Sequence, residues 1–280
     1  MTADAPSAPE PPAGKPRRML GLWIGAFGFL GLVAAFCWLV LGPYLEVREA
    51  IRRTLYDDEA PGATIERLGG PRAAARKLSL YSRLPDRFAA AKQAAAYLMG
   101  FCDSEAVPRL VELLNSRNPS IRKTAIISLG QTNDQRAVEP LIAALDDPVP
   151  GVGQPAACSL GELGGDRAIQ ALIGALGSHK FATVREQAAV TLGRAGNRRA
   201  LEPLVAALRD KHLAVCANAA DALGRLGDAR AIPALEALAA SGTPADVAGA
   251  ARKAIAMIRA AEGPAPPDRG KTRKTEPGGR

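Results

Sequence analysis

Two apolar columns recur along the chain with a period of 31 to 32 residues. Leu129, Leu160, Leu192 and Leu223 stand 31, 32 and 31 apart, each followed by glycine; Met99-Gly100 lies 30 before them and Ile255 lies 32 after. Eight residues ahead of the last five come Ile121, Val152, Val184, Val215 and Val247. The other column, Leu110, Leu141, Leu172, Leu204 and Leu235, repeats at 31, 31, 32 and 31. Two columns held in register over five units mark a repeat architecture.

Each unit reads as two helices. The first carries Leu141, Ile142 and Leu145, and again Leu204, Val205 and Leu208, on one helical face. The second runs from the valine column through small residues to the leucine column, as in Val184, Ala188 and Leu192. Asn118-Pro119, Asp147-Pro148 and Thr243-Pro244 predict an N-cap followed by proline at the first helical position, and Thr183 with Glu186 predicts a capping box. Three residues past each glycine of the series stand Asp103, Asn133, Gly164, Gly196 and Gly227, types that tolerate the left-handed conformation ending a helix.

No such unit can bury its apolar face alone, so stacking is what folds it. The expected fold is all-α, an α-solenoid of about six helical hairpins over residues 61–262. Residues 61–100 match the pattern faintly and read as an N-terminal capping unit. At 148–164, Pro155 falls inside the expected second helix, which should start late, near Gln154-Pro155, or kink.

Ahead of the repeats, Met19 to Gly42 holds no charged residue. About 20 helical residues cross the hydrocarbon core of a bilayer, so this run is long enough for one transmembrane helix. Trp23, Trp38 and Tyr44 stand toward its ends, where amphipathic rings prefer to sit. A cleaved signal peptide would have an apolar core of about 7–15 residues, so an uncleaved anchor is expected. Lys15, Arg17 and Arg18 favour a cytoplasmic N-terminus; Arg48, Arg52 and Arg53 nearly balance them and leave the side of the repeats open. Gly21 and Gly25 form a GxxxG suited to pairing two such helices. The chain then divides into a tail at 1–18, the span at 19–42, a juxtamembrane helix or linker at 43–60, the repeats at 61–262 and a basic tail at 263–280. The composition of both tails predicts disorder.

Three stretches carry a family resemblance: VRxxAAxxLG at Val184–Gly193, DRAI at Asp166–Ile169, and PLIxAL at Pro140–Leu145 leading into Asp146-Asp147. They resemble HEAT repeats, specifically the short phycobilisome-lyase-like subtype, from near Gly69 to Glu262. The resemblance implies a right-handed α-solenoid whose second helices line a concave face. It also implies, as one alternative, a bilin lyase-like enzyme.

Charge changes the picture less than its total suggests. Of the net +8, residues 1–18 carry +1, 44–92 carry +3 and 263–280 carry +3, which leaves 18 basic against 17 acidic residues over 93–262. Such a body offers no footprint for counterion release, so a nucleic-acid-binding repeat protein is the weaker alternative. Cys37, Cys102, Cys158 and Cys216 show no metal spacing, and the last three read as buried free thiols.

Catalysis finds little to use. His179 and His212 are the only histidines, both in turns and expected at the surface, and neither joins a cysteine or carboxylate in a recurring constellation. Gly69-Gly70 and Gly164-Gly165 read as helix terminators. No catalytic, cofactor or metal site is expected, and the chain reads as a non-enzyme. Arg136, Arg167, Arg199 and Arg230, with Asp134, Asp166 and Asp228 beside them, read as charges that knit neighbouring repeats together.

What remains is a stripe on the second helices. With the valine column as zero, positions +2, +3, +6 and +10 point away from the core. They hold Lys123, Thr124, Ile127 and Gln131; then Gln154, Cys158 and Glu162; then Glu186, Gln187, Val190 and Arg194; then Asn218, Asp221 and Arg225. This mixed surface, with no aromatic cage, suits a protein or peptide partner. The expected function is that of a membrane-anchored interaction scaffold.

Overall fold

The computed structural model describes residues 45–53, 60–84 and 89–261. The chain divides into two units, Met1–Glu49 and Ala50–Arg280. Residues 45–49 of the first and 50–53 of the second are helical. The proposed span at 19–42 with Gly21 and Gly25, both tails and part of 43–60 lie outside the described residues. Among the described residues no helix is long and apolar enough to cross a membrane.

Every described element of the second unit is helical. A short α1 (Pro61–Arg67) precedes paired helices: α2 (Pro71–Ser82) with α3 (Ala89–Met99), α4 (Val107–Leu113) with α5 (Pro119–Gln131), and α6 (Val138–Leu145) with α7 (Gly153–Leu163). Then come α8 (Gly165–Ser178) with α9 (Ala182–Ala195), α10 (Leu201–Ala207) with α11 (Leu213–Leu226), and α12 (Ile232–Ala240) with α13 (Ala245–Ala261). Residues 61–100 therefore hold a hairpin of their own, α2 and α3, behind α1.

Burial follows the columns. Leu110, Leu141, Leu172, Leu204 and Leu235 are fully buried between first and second helices, as are Met99, Leu129, Leu160, Leu192 and Leu223. Ile121, Val152, Val184, Val215 and Val247 complete the core. A buried leucine contributes about 1.5–3 kcal/mol relative to leaving it in water, so each unit depends on its neighbours for most of its stability.

The glycine of each Leu-Gly pair sets how closely second helices approach. A Cβ on Gly193 would lie 2.6 Å from both Cα and Cβ of Ala222 on the next second helix. Gly100, Gly130, Gly161 and Gly224 face Ser128, Ser159, Thr191 and Ala254 in the same way. Glycine therefore opposes a column of small residues one position ahead of the leucines. Second helices pack against one another more extensively than first helices do, and they form the tighter layer.

Local punctuation agrees with the pattern in part. Asn118 caps α5, its Oδ1 accepting from Ser120 N at 2.9 Å, with Pro119 first in the helix. Asn133, Gly164, Gly196 and Gly227 all adopt positive φ at helix ends, whereas Asp103 opens a 3-10 turn. The capping box at Thr183 is not formed: α9 starts two residues earlier, at Ala182, with Phe181 at its N-cap. Thr243 is displaced from its cap too, since its hydroxyl donates to Leu238 O at 3.2 Å and α13 begins at Ala245.

Asp147 does not start a helix either, although its Oδ1 accepts from Val149 N at 2.9 Å as a cap would; the same carboxylate also serves an arginine. Arg122 Nε and Nη2 donate to its two carboxylate oxygens at 2.6 and 2.9 Å, and α7 begins late, at Gly153, which places Pro155 in the first turn. Arg185 holds Asp210 in the same manner. The two partners are lost together: Gly153 with Ser178, and Cys216 with Ser241, occupy the equivalent positions of the other units.

The arginine column at the turns knits units together at three of its four positions. Arg136 Nη2 donates to Ser104 O at 2.8 Å, Arg167 pairs with Glu139 at 2.7 Å, and Arg199 pairs with Asp166 at 3.1 Å, each across a unit boundary. Arg230 instead pairs with Asp228 in its own turn, at 2.8 Å. The last helix ends the stack chemically. Where α7, α9 and α11 present Ala157, Ala189 and Ala220 to the following unit, α13 carries an exposed Arg252.

Candidate interaction face

The stripe residues reach solvent because the same helices that bury the valine and leucine columns turn their opposite face outward. Lys123, Ile127, Gln131, Gln154, Glu162, Arg194 and Arg225 are exposed. Thr124, Cys158, Glu186, Gln187, Val190, Asn218 and Asp221 are half-buried, and none of the stripe is buried. The structure thus brings these positions onto one accessible face of α5, α7, α9 and α11.

The stripe extends one helix further than the sequence reading carried it. Position +6 on α13 is Lys253, whose Nζ lies 3.8 Å from Asp221 Oδ1, and position +10 is Met257, an exposed apolar side chain. The signal was present, since Val247 continues the valine column. The middle row then reads Ile127, Cys158, Val190, Asp221, Lys253: apolar over three units and charged over the next two.

Polar contacts within the face are sparse and local. Thr124 Oγ1 donates to Ser120 O at 3.0 Å, and Gln187 Nε2 donates to Thr191 Oγ1 at 3.3 Å. The Cys158 thiol points to Glu162 Oε1 at 3.8 Å. Burial, and then the Glu162 charge, push that thiol's pKa up, with the Arg194 cation pulling the other way. A thiol held protonated in this way is a poor nucleophile at neutral pH.

Elsewhere the chemistry-bearing residues serve the fold. Cys102 and Cys216 are buried free thiols, whereas Cys158 is only half-buried. His212 is exposed, but His179 is buried: its Nδ1 accepts from Phe181 N at 3.1 Å and its Nε2 lies 3.3 Å from Asp146 Oδ1. A turn residue is expected in water, yet the loop folds back and Phe181 tilts against the ring. Among the described residues no cluster of His, Cys, Asp and Glu is placed to hold a metal.

This architecture of stacked helical pairs is that of an α-solenoid repeat protein. The chain belongs to the HEAT repeat family, whose model matches residues 78–152, 110–190 and 175–256. Comparison with curated proteins gives no match. Among solved structures it is similar to an engineered protein at 24% identity, covering 66% of this chain and 98% of that one, with a TM-score of 0.48. Human deoxyhypusine hydroxylase in complex with glycerol matches at 22% identity over 79% and 99% of the two chains, TM-score 0.35. The complex of CpcE and CpcF of phycocyanin lyase from a Nostoc species matches at 23% identity over 66% and 82%, TM-score 0.39. Likeness of this degree transfers no activity to the chain.

Proposed function

We propose that this protein is a membrane-anchored, non-enzymatic scaffold that holds a protein or peptide partner against the stripe of its second helices. The observation that supports it is the unbroken accessible row running across α5, α7, α9, α11 and α13 on a rigidly stacked core. The apolar part, Ile127 to Val190, gives a partner segment area to bury; Asp221, Arg225 and Lys253 give it register through charge.

The anchor in this reading is the uncharged run 19–42, with the N-terminus on the cytoplasmic side and Gly21 and Gly25 as the face on which two spans would pair. Full-length protein in detergent, used as bait, tests the reading. Replacing Glu186, Asp221 and Arg225 together by alanine should lose the partner that the wild-type chain retains while leaving the helical melting curve in place. Equal retention by both proteins would refute the stripe as the binding face.

A further inference from the structure

Where α2 and α4 end, the first two units leave an open cleft of about 570 Å³. Among the described residues Arg83, Lys92, Arg109 and Arg117 line it, with Glu112 as the one carboxylate and Ser82 at its wall. Arg83 and Arg117 are exposed and have no ion-pair partner among the described residues. Arg109 is mostly buried, with 18% of its side chain exposed; it pairs with Glu112 on its own helix, and its Nε donates to Ser82 Oγ at 2.5 Å.

The electrostatics here run opposite to those of the inter-unit pairs. Asp147 and Asp210 raise the pKa of Arg122 and Arg185, whereas burial and the neighbouring Arg83 charge push that of Arg109 down. Helix C-termini attract cations, which accounts for one arginine at the end of each helix. It does not account for a third, desolvated guanidinium beside them, balanced among the described residues by the exposed Glu112. Of the lining cations, Arg83 and Lys92 belong to the segment 44–92, which carries a +3 excess.

We propose that this cleft binds a phosphate group, gripped by the guanidinium forks of Arg83, Arg109 and Arg117. Planar guanidinium groups match phosphate oxygens two at a time, and a dianion relieves the like-charge crowding at Arg109. The site is separate from the second-helix stripe and does not depend on it. The phosphate comes either from an anionic lipid headgroup, if the run 19–42 holds the first units at a bilayer, or from a free phosphate.

The test uses the full chain in an uncharged detergent and reads the rise in Tm, followed by circular dichroism, as a probe is added. One arm adds inorganic phosphate; the other adds dioleoyl phosphatidic acid in mixed micelles, with phosphatidylcholine as the blank. The double variant Arg83→Gln with Arg117→Gln changes only exposed side chains, and Arg252→Gln, exposed on α13, is the charge control. The affinity derived from the rise should fall at least tenfold in the double variant and stay unchanged in Arg252→Gln. A response to the lipid alone assigns the headgroup as source, and a response to both assigns the phosphate group itself. No response to either probe, or an equal response in the double variant, overturns the site, as does an equal loss in Arg252→Gln.

Discussion

Arg185 holds Asp210 of the following unit: Nε lies 2.7 Å from Oδ2, Nη2 lies 2.8 Å from Oδ1, and Nη1 donates to His179 O at 2.7 Å. Asp210 in turn accepts from His212 N at 2.8 Å, so one carboxylate orders a loop and joins it to the helix before it. Both side chains are largely shielded from water, at 5% and 12% exposure.

Removing one partner strands the other. Arg185→Ala should therefore lower stability by about 3 kcal/mol, within the range for breaking a buried pair. Asp210→Ser in the Arg185→Ala background should recover part of that loss, because serine is what the chain itself places opposite a missing arginine, at Ser178 and Ser241. Chemical unfolding of the two singles and the double gives the coupling directly. A coupling near zero would mean that the pair is ornamental.

The same pair sets a pH dependence. Hydrogen bonds from the arginines hold the Asp147 and Asp210 carboxyls below the usual carboxylate range, and those from Arg230 bring Asp228 down to about 2. A folded-state pKa lower than the unfolded one adds stability above the unfolded value, near 4 for aspartate, and loses it as pH falls through the folded value. Tm should accordingly hold steady from pH 7 to about 5 and fall between about 4 and about 2. Arg185→Ala should show a shallower acid fall, since Asp210 no longer has its partner. Thermal scans across this range check both.

Glycines on two different second helices should respond with opposite sign. Gly193→Ala pushes a methyl to within 2.6 Å of the Ala222 backbone carbon and should cost about 2 kcal/mol through forced separation of two second helices. Gly249 lies in α13 with nothing within 4 Å of the position a Cβ would take. Gly249→Ala should instead stabilise by about 0.5–1 kcal/mol, the helix-propensity difference. Urea midpoints measured side by side decide it, and equal signs would refute the close-approach reading of the Leu-Gly series.

The repeat itself was legible because core positions recur: Leu129 and its equivalents needed only counting. Gly130 was legible as a position but not as a contact, since its opposing Ser159 belongs to another unit 29 residues on. Asp147 was legible as a capping carboxylate, and its Oδ1 does accept from Val149 N, but its second role, as partner to an arginine 25 residues earlier, was not, because that arginine lies in another unit. His179 was misread for a similar reason: a turn residue is buried only if its loop folds back, and that depends on the three-dimensional path. The stripe needed only the helical period, which is why its residues surface as expected and why stopping at Arg225 missed Lys253 and Met257.

Cys158 offers a direct chemical reporter on that stripe. It is the most accessible of the three cysteines in the described residues, yet burial and the Glu162 carboxylate keep its thiol protonated above the ordinary range. At pH 7.5, iodoacetamide should alkylate it more slowly than a free cysteine and faster than the buried Cys102 and Cys216, with the sites resolved by peptide mass spectrometry. Glu162→Gln removes the like charge and should speed the reaction about two- to fivefold, because a larger fraction of the thiol is then ionised near neutrality. Alkylation of Cys158 should then slow when a captured partner occupies the face, while Cys102 and Cys216 keep their rates. A partner that leaves the Cys158 rate unchanged would be bound somewhere other than the row from Ile127 to Lys253.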